Sequence, residues 1–236
     1  MLLEGIRAVE LGPHLSRQLI EAQQTMTSFQ ADLTRLDMSV SCIDCGLSPR
    51  ELFSEDGAED RIASAAGIAN SLGCSLLKVP APAPDTDPKV ALGRLRAACE
   101  AAGPEITVVI ENTPISDWDT GPGVEKPMLA LTGECNLGFA FNPAHFANVD
   151  EKPYLNTWRK TKLKRYTRII YATDGCHPGR PQYTRLLEGN AEVKELLSIF
   201  RARGYGGFVT LKMGDRRGTA AFRQHAAAFR RLLETS

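Results

Sequence analysis

Residues Ile106-Thr-Val-Val-Ile-Glu-Asn-Thr113 form a nearly continuous apolar, β-branched run that ends in a glutamate and an asparagine. A strand with one solvated face would alternate apolar and polar side chains, and this run does not alternate. The pattern is typical of a parallel strand that is covered on both faces. Because parallel strands need long crossover connections, usually helices, this stretch predicts an α/β fold.

The rest of the chain repeats the arrangement, with similar runs separated by segments of helical period. The predicted strands are residues 6–11, 38–44, 75–80, 106–113, 137–143, 168–174 and 208–213. The predicted helices, each with an apolar stripe at helical spacing, include residues 60–72, 90–102, 191–203 and 219–233. Strand and helix alternate to the end of the chain, which favours a parallel sheet.

Polar side chains cluster where the predicted strands end. They are Glu10, His14, Asp44, Lys78, Glu111, Asn112, Asn142, His145, Asp174, His177 and Lys212. In a (β/α) barrel the carboxyl ends of the strands meet at the face that carries the chemistry. An open doubly wound sheet would instead concentrate them near one switch point, and the chain has no Gly-x-Gly-x-x-Gly or Walker loop. The sequence therefore predicts one (β/α) barrel domain over residues 1–236.

The amino-acid composition indicates where the protein is located and which classes of partner it lacks. The 236 residues are 43% hydrophobic and 24% charged, and the formal net charge is +0, so no global field favours a polyanion or an anionic membrane. No apolar run approaches the ~20 residues of a membrane span, and the amino terminus does not resemble a secretion signal. The 6 cysteines are scattered, and the lone Cys42-x-x-Cys45 is interpreted as two ordinary strand-end cysteines. We expect a cytoplasmic protein without a membrane partner.

Four stretches resemble the xylose-isomerase-like barrel family, in particular its sugar epimerases and isomerases. Residues 5–14 resemble that family's second strand, 110–113 its fifth, 137–151 its sixth strand and following loop, and 204–212 the approach to its eighth. The resemblance implies a TIM-type barrel that lacks the first strand and has about seven parallel strands. It also implies a small, sugar-like, polyhydroxylated carbonyl compound as the ligand.

The family holds a divalent cation with Glu, Asp, His and Glu at four strand ends, and this chain departs from that set. Glu111 matches the first ligand. The replaced positions are Asn142 for aspartate, Tyr171 for histidine and Lys212 for glutamate. Hard cations prefer carboxylate oxygens, and an ammonium repels them. We therefore predict no metal and no other cofactor, although a shifted register could bring Asp174 or His177 to a metal.

Three residues are predicted to be catalytic, namely Glu111, Lys212 and His145, by resemblance to the family's proton-transfer and substrate-contacting positions. Lys212 could act as an acid or base, pair with Glu111 in place of the metal, or attack a carbonyl as a Schiff-base nucleophile. The predicted substrate-binding residues are Glu10, His14, Asn142, Tyr171, Asp174, His177 and Arg180. This favours a metal-independent isomerase, epimerase or lyase. The alternative is a non-catalytic family member that serves as a binding or partner subunit.

One basic cluster, residues 158–168, is the sequence feature that could indicate binding to nucleic acid. Endonucleases that repair abasic DNA resemble this barrel type, but they have a richer set of metal-binding histidines than the 4 histidines of this chain. The cluster precedes a predicted strand, which places it at the end opposite the site. We expect a solvated or subunit-contact helix and no nucleic-acid partner, and the pattern leaves homo-oligomerisation open.

Overall fold

The structure is a computed structural model that describes residues 6–21, 23–114, 118–176, 183–213 and 218–235. The strands are β1 (Ala8–Leu11), β2 (Ser39–Asp44), β3 (Leu76–Val79), β4 (Thr107–Glu111), β5 (Leu137–Phe141), β6 (Thr167–Ala172), β7 (Asp174–Gly175), β8 (Tyr183–Thr184) and β9 (Phe208–Leu211). The α-helices are α1 (Pro13–Glu21), α2 (Gln23–Arg35), α3 (Pro49–Ser54), α4 (Ala58–Ser71), α5 (Pro88–Ala102), α6 (Gly121–Ala130), α7 (Pro143–Asn148), α8 (Val193–Ala202) and α9 (Thr219–Thr235).

Seven strands share one sheet, in the order β1-β2-β3-β4-β5-β6-β9, and β7 pairs with β8 in a small antiparallel hairpin. The paired strands from β1 to β4, and those of β5, β6 and β9, run parallel. Every predicted strand is present, with its ends shifted by at most two residues. The prediction of an α/β fold with about seven parallel strands is therefore confirmed.

Burial explains why the apolar runs form strands. Val108, Val109 and Ile110 of β4 are all 0% exposed, although successive side chains point to opposite faces of a sheet. Both faces of the strand are therefore covered, as the unbroken apolar run predicts. Burying each such side chain contributes about 1.5–3 kcal/mol.

The chain divides into two compact units. The first is Met1–Glu111 with Ala130–Gly138, and the second is Asn112–Leu129 with Phe139–Ser236. The first unit holds β1 to β4, and the second holds most of β5 together with β6 to β9. That residues 1–236 form one domain stays a prediction. Within the described segments, no helix is long and apolar enough to cross a membrane.

The cysteines form no disulfide bonds in the part of the chain that the structure describes. All six are free, and Cys42 and Cys45 are both 0% exposed. Burial raises the pKa of the Cys42 thiol well above its ordinary value and that of Cys45 to about 12. A buried neutral thiol is a poor nucleophile and a poor metal ligand. The interpretation of this pair as ordinary strand cysteines therefore stands.

The basic segment 158–168 is not the helix that the sequence predicts. It begins at the last residue of a π-helix (Pro153–Trp158), passes through a 3-10 turn (Leu163–Arg165) and enters β6. Thr161 and Leu163 are only 6% and 0% exposed. The prediction of a helix over this segment was wrong, because Thr161 and Leu163 turn into the interior and the regular helical path ends before them.

Candidate functional site

In the first unit, three carboxylates surround one lysine ammonium. Lys78 Nζ lies 2.6 Å from Oε1 of Glu10. It also lies 3.5 Å from Oδ2 of Asp44 and 3.6 Å from Oε2 of Glu111. The four side chains, which we call the Lys78 cluster, are only 12–18% exposed. A lysine that is this deeply buried is almost always paired with an anion, and Lys78 lies within 4 Å of three carboxylates.

The registers of four parallel strands bring the cluster together. Asp44 ends β2 and lies opposite Lys78 of β3. The register of β1 against β2 shifts between Val9 and Glu10, which is a β-bulge or similar irregularity. Such bulges re-aim a side chain and are frequent beside active sites. Glu111 is the last residue of β4, so the cluster lies at the carboxyl ends of its strands.

The charges of the Lys78 cluster do not balance, because three carboxylates face one ammonium. Burial raises the pKa of Asp44 above its ordinary value, and the charge of Glu10 acts in the same direction. Lys78 and the hydrogen bond from the Gly46 amide, 2.9 Å from Oδ1, oppose this shift. Burial thus favours the protonated form of Asp44, whereas Lys78 and the Gly46 amide favour its carboxylate.

In the second unit, two buried asparagines orient His145. The Asn112 side chain donates to the Asn142 carbonyl at 3.0 Å and accepts from the Asn142 amide at 2.8 Å. His145 Nδ1 lies 2.6 Å from the carbonyl oxygen of Asn112. A carbonyl can only accept, so Nδ1 carries the proton, and in the neutral ring the lone pair is on Nε2. This tautomer suits the contact with substrate predicted for His145.

Asn142 also begins α7. Its Oδ1 accepts from the amides of Ala144 at 3.1 Å and His145 at 3.4 Å, as an N-cap residue does. An amide oxygen that already accepts two hydrogen bonds from backbone amides is poorly suited to a cation. The contact with substrate predicted for Asn142 stays a prediction.

Tyr171 and Lys212, predicted separately for the site, lie together. Lys212 follows β9, its amide donates to the Ala172 carbonyl at 3.3 Å, and its Nζ lies 4.4 Å from the centroid of the Tyr171 ring. Cation–π contacts of this kind contribute about 0.5–2 kcal/mol. The Schiff-base role of Lys212 stays an untested alternative.

Asp174 organises a loop. Its side chain is 3% exposed and accepts from four backbone amides at 3.0–3.1 Å, those of Gly175, Leu187, Gly189 and Ala191. Both carboxylate oxygens are therefore engaged, and a contact with substrate stays a prediction. His14 is exposed on α1. His177 and Arg180 lie outside the described residues.

The sequence profile of the xylose isomerase-like TIM barrel family matches residues 4–233. The chain belongs to this family. The match covers nearly the whole sequence, and it confirms the TIM-type barrel that the sequence predicts. A search of curated proteins found no match.

Solved structures of this TIM barrel family share the fold. The probable 3-DHS dehydratase AsbF of Bacillus anthracis has a TM-score of 0.72 and 18% identity, over 95% of this chain and 88% of that chain. The 3-keto-D-glucoside 4-epimerase YcjR of E. coli has a TM-score of 0.70 and 16% identity, over 97% and 89%. The IOLI protein, with a bound zinc atom, has a TM-score of 0.77 and 11% identity, over 98% and 89%. At identities this low, the TM-scores show a shared fold alone.

The residues present do not fit the divalent cation that the xylose isomerase-like family implies. Glu111 faces the Lys78 ammonium, and the Asn142 side-chain oxygen caps α7. The ring of Tyr171 faces the ammonium of Lys212. In the part of the chain that the structure describes, no group of three or more His, Cys, Asp and Glu side chains could hold a metal ion. The ammonium of Lys78 therefore lies beside Glu111, the first ligand position, and that of Lys212 lies beside Tyr171, the third.

If Lys78 takes the place of a cation, its removal should open a cation site. Lys78→Ala is expected to bind Mn²⁺ through the carboxylates of Glu10, Asp44 and Glu111, because a divalent ion would neutralise the charge left behind. Mn²⁺ electron paramagnetic resonance and thermal melts would measure this, with stabilisation of about 2.7 kcal/mol at 100 times Kd. Lys160→Ala, an exposed lysine elsewhere, is the control. Equal Mn²⁺ binding by the wild type and Lys78→Ala would contradict the interpretation.

Sequence reasoning missed the role of Lys78. The pattern marks it only as a polar group near a strand end, yet it interrupts the apolar stretch Leu76-Leu-Lys-Val79. A lysine inside a strand that is buried on both faces must have anionic partners, and that was the available signal. The identity of the partners required the strand registers.

Proposed function

We propose that this protein isomerises or epimerises a small polyhydroxylated carbonyl compound by proton transfer without a metal. The observation that carries the proposal is the Lys78 ammonium among three strand-end carboxylates. A fixed ammonium supplies positive charge where charge develops, which is the electrostatic part of a metal's role. The epimerase YcjR and the dehydratase AsbF, which share the fold, support the general class.

Two members of the cluster are assigned opposite proton roles. Glu111, as the carboxylate, takes the proton from the carbon next to the substrate carbonyl. Asp44, whose pKa burial raises, gives its proton to the carbonyl oxygen, so that a neutral enediol forms. In an isomerisation, Glu111 returns the proton to the former carbonyl carbon, and Asp44 regains a proton from the hydroxyl of the neighbouring carbon, which becomes the new carbonyl. In an epimerisation, the enediol turns its opposite face to Glu111 before the proton is returned to the same carbon, and Asp44 regains its proton from the original oxygen. Both groups are restored in either case.

The remaining site assignments are part of the proposal and stay predictions. His145, through Nε2, and Lys212 are proposed as further catalytic groups. The proposed substrate contacts are Glu10, His14, Asn142, Tyr171, Asp174, His177 and Arg180. We also propose a cytoplasmic setting, consistent with six free thiols, and no nucleic-acid partner, with homo-oligomerisation left open.

Solvent exchange tests the chemistry even while the product is unidentified. The protein in D₂O with EDTA is expected to incorporate deuterium next to the carbonyl of at least one member of a ketose and keto-sugar panel, followed by proton NMR. Glu111→Gln should slow this exchange by about 10²–10⁴-fold, the usual contribution of a general base. Glu134→Gln, an exposed partner of Arg96, is the matched control.

Three results would count against the proposal. Exchange that is abolished by EDTA and restored by Mn²⁺ would show a metal enzyme. Exchange that is equally fast in Glu111→Gln would remove the assigned base. Saturable binding of a panel compound without exchange would establish the alternative, a non-catalytic binding member of the family.

A further inference from the structure

A polar cavity lies in the second unit, on the segments that lead into β6 and β9. It has a volume of about 140 Å³ and is lined by Tyr154, Trp158, Arg159, Lys164, Ile199 and Arg203. Three of these six residues are cationic and none is acidic. We call it the Arg159 pocket. Because its basic residues precede β6 and β9, it lies toward the amino ends of these strands, away from the ends that carry the chemistry of such barrels.

The three cations of the Arg159 pocket are solvent-exposed and have no anionic partner within the described ranges. Within the described ranges, the side chains of Arg159, Lys164 and Arg203 form no ion pair and no hydrogen bond. Nearby basic residues differ, since Lys160 donates to Asn156 at 2.8 Å and Arg168 donates to the Arg165 carbonyl at 3.1 Å. Like charges around one cavity repel each other, and an anion between them would relieve that repulsion.

The wall of the pocket is held by hydrogen bonds and ring packing. The Glu192 carboxylate accepts from the amides of Tyr154 at 2.8 Å and Leu155 at 3.2 Å, which fixes the start of the π-helix. Trp158, which is 6% exposed, packs edge-on against Phe200 with ring centroids 4.5 Å apart. Arg159 follows directly on this anchored turn. Single-turn π-helices are rare and frequently occur at functional sites.

We propose that the Arg159 pocket binds a phosphate group, either as inorganic phosphate or as the phosphate of a small metabolite. Guanidinium groups offer paired donors that match phosphate oxygens, and a lysine adds a mobile point charge. Pockets for drug-sized ligands start at about 300 Å³, so 140 Å³ suits one tetrahedral oxyanion with the remainder of its carrier outside. The proposal is independent of the reaction proposed above.

Phosphate titration of the intact protein tests the pocket. Sodium phosphate is added while sodium chloride keeps the ionic strength constant, and the indole resonance of Trp158 and the tryptophan fluorescence are followed. A saturable change is expected for the wild type. Lys164→Met and Arg203→Met should each weaken binding about tenfold, the usual effect of one charge-assisted hydrogen bond, and the double variant should abolish it. Lys160→Met, in the same segment but outside the pocket lining, should bind like the wild type.

Further ligands distinguish the sources of the phosphate group. Glycerol 3-phosphate binding tighter than inorganic phosphate would indicate a phosphorylated metabolite, and the reverse order would indicate the free ion. No saturable change with either ligand would overturn the proposal. Equal weakening by Lys160→Met and Lys164→Met would overturn it as well, and so would binding of a single-stranded DNA oligonucleotide without phosphate binding. Glu111→Gln should bind phosphate normally, so failure here leaves the proposed reaction untouched.

Discussion

Lys78→Met is expected to lower the free energy of unfolding by about 3–5 kcal/mol at pH 7, the usual cost of removing one partner from a buried ion pair. The substitution keeps much of the side-chain volume and removes the charge. Glu10, Asp44 and Glu111 would then face one another at 12–18% exposure without their shared cation. A surface ion pair would contribute only about 0–1 kcal/mol, so the size of the loss reports the burial of the cluster.

The pH dependence of this loss has a defined sign. Without Lys78, the carboxylates keep the burial that raises the pKa of Asp44 and lose the charge that opposes it. Groups whose folded-state pKa is raised destabilise the protein when they are ionised, and this cost disappears as pH falls through the raised pKa. The difference between Lys78→Met and the wild type should therefore shrink between pH 7 and pH 4.

Urea denaturation at both pH values measures these differences. Lys160→Met, which removes an exposed lysine, should change the free energy of unfolding by less than about 0.5 kcal/mol. A loss below about 1 kcal/mol for Lys78→Met at pH 7 would mean that the cluster is effectively solvated. A loss that grows toward pH 4 would mean that the carboxylates are not its cause.

Asp174→Ala is expected to cost about 3–5 kcal/mol, because four backbone amides, two of them in fully buried hydrogen bonds, would lose their common acceptor. Hydrogen bonds to charged groups contribute about 1.5–3 kcal/mol each and are not additive. The site is also closely packed, since a Cβ on Gly189 would lie within 2.7 Å of the Asp174 carboxyl carbon.

Hydrogen exchange locates the effect of Asp174→Ala. The amides of Leu187, Gly189 and Ala191 should lose protection before the rest of the second unit does. Asp174→Asn, which keeps one oxygen acceptor, should give an intermediate loss of stability. Asp32→Ala removes a carboxylate from an exposed pair with Arg35 and is the control. Equal stability of Asp174→Ala and Asp32→Ala would refute the organising role.

The sequence predicts the strands and the barrel well because both depend on local patterns. The run at 106–113 is apolar on both faces, and its burial in β4 follows from that pattern alone. Glu111 could likewise be placed at a strand end by counting. The same local reasoning places Lys212 at the end of β9, but its contact with the Tyr171 ring depends on side-chain direction.

The partners of Lys78 and Asp174 could not be predicted, because they depend on register and loop geometry. Glu10 and Lys78 are 68 residues apart in the sequence. Their contact also depends on a register shift in β1, which no pattern of residues predicts. Asp174 is a substrate candidate in the sequence because a polar residue after a strand often belongs to a site. One of the amides that bond its carboxylate belongs to the neighbouring residue, Gly175. The others lie in a loop 13–17 residues later in the chain.

The π-helix at Pro153–Trp158 has a consequence for comparing relatives of this protein. In this turn the Thr157 amide donates to the carbonyl of Lys152, five residues earlier in the chain. In an α-helix, each amide donates to the carbonyl four residues earlier. Such a turn holds one more residue than the corresponding turn of an α-helix. Deleting that residue would rotate every following side chain by about 100° about the axis. Homologues one residue shorter between β5 and β6 should therefore present Arg159 in a different direction.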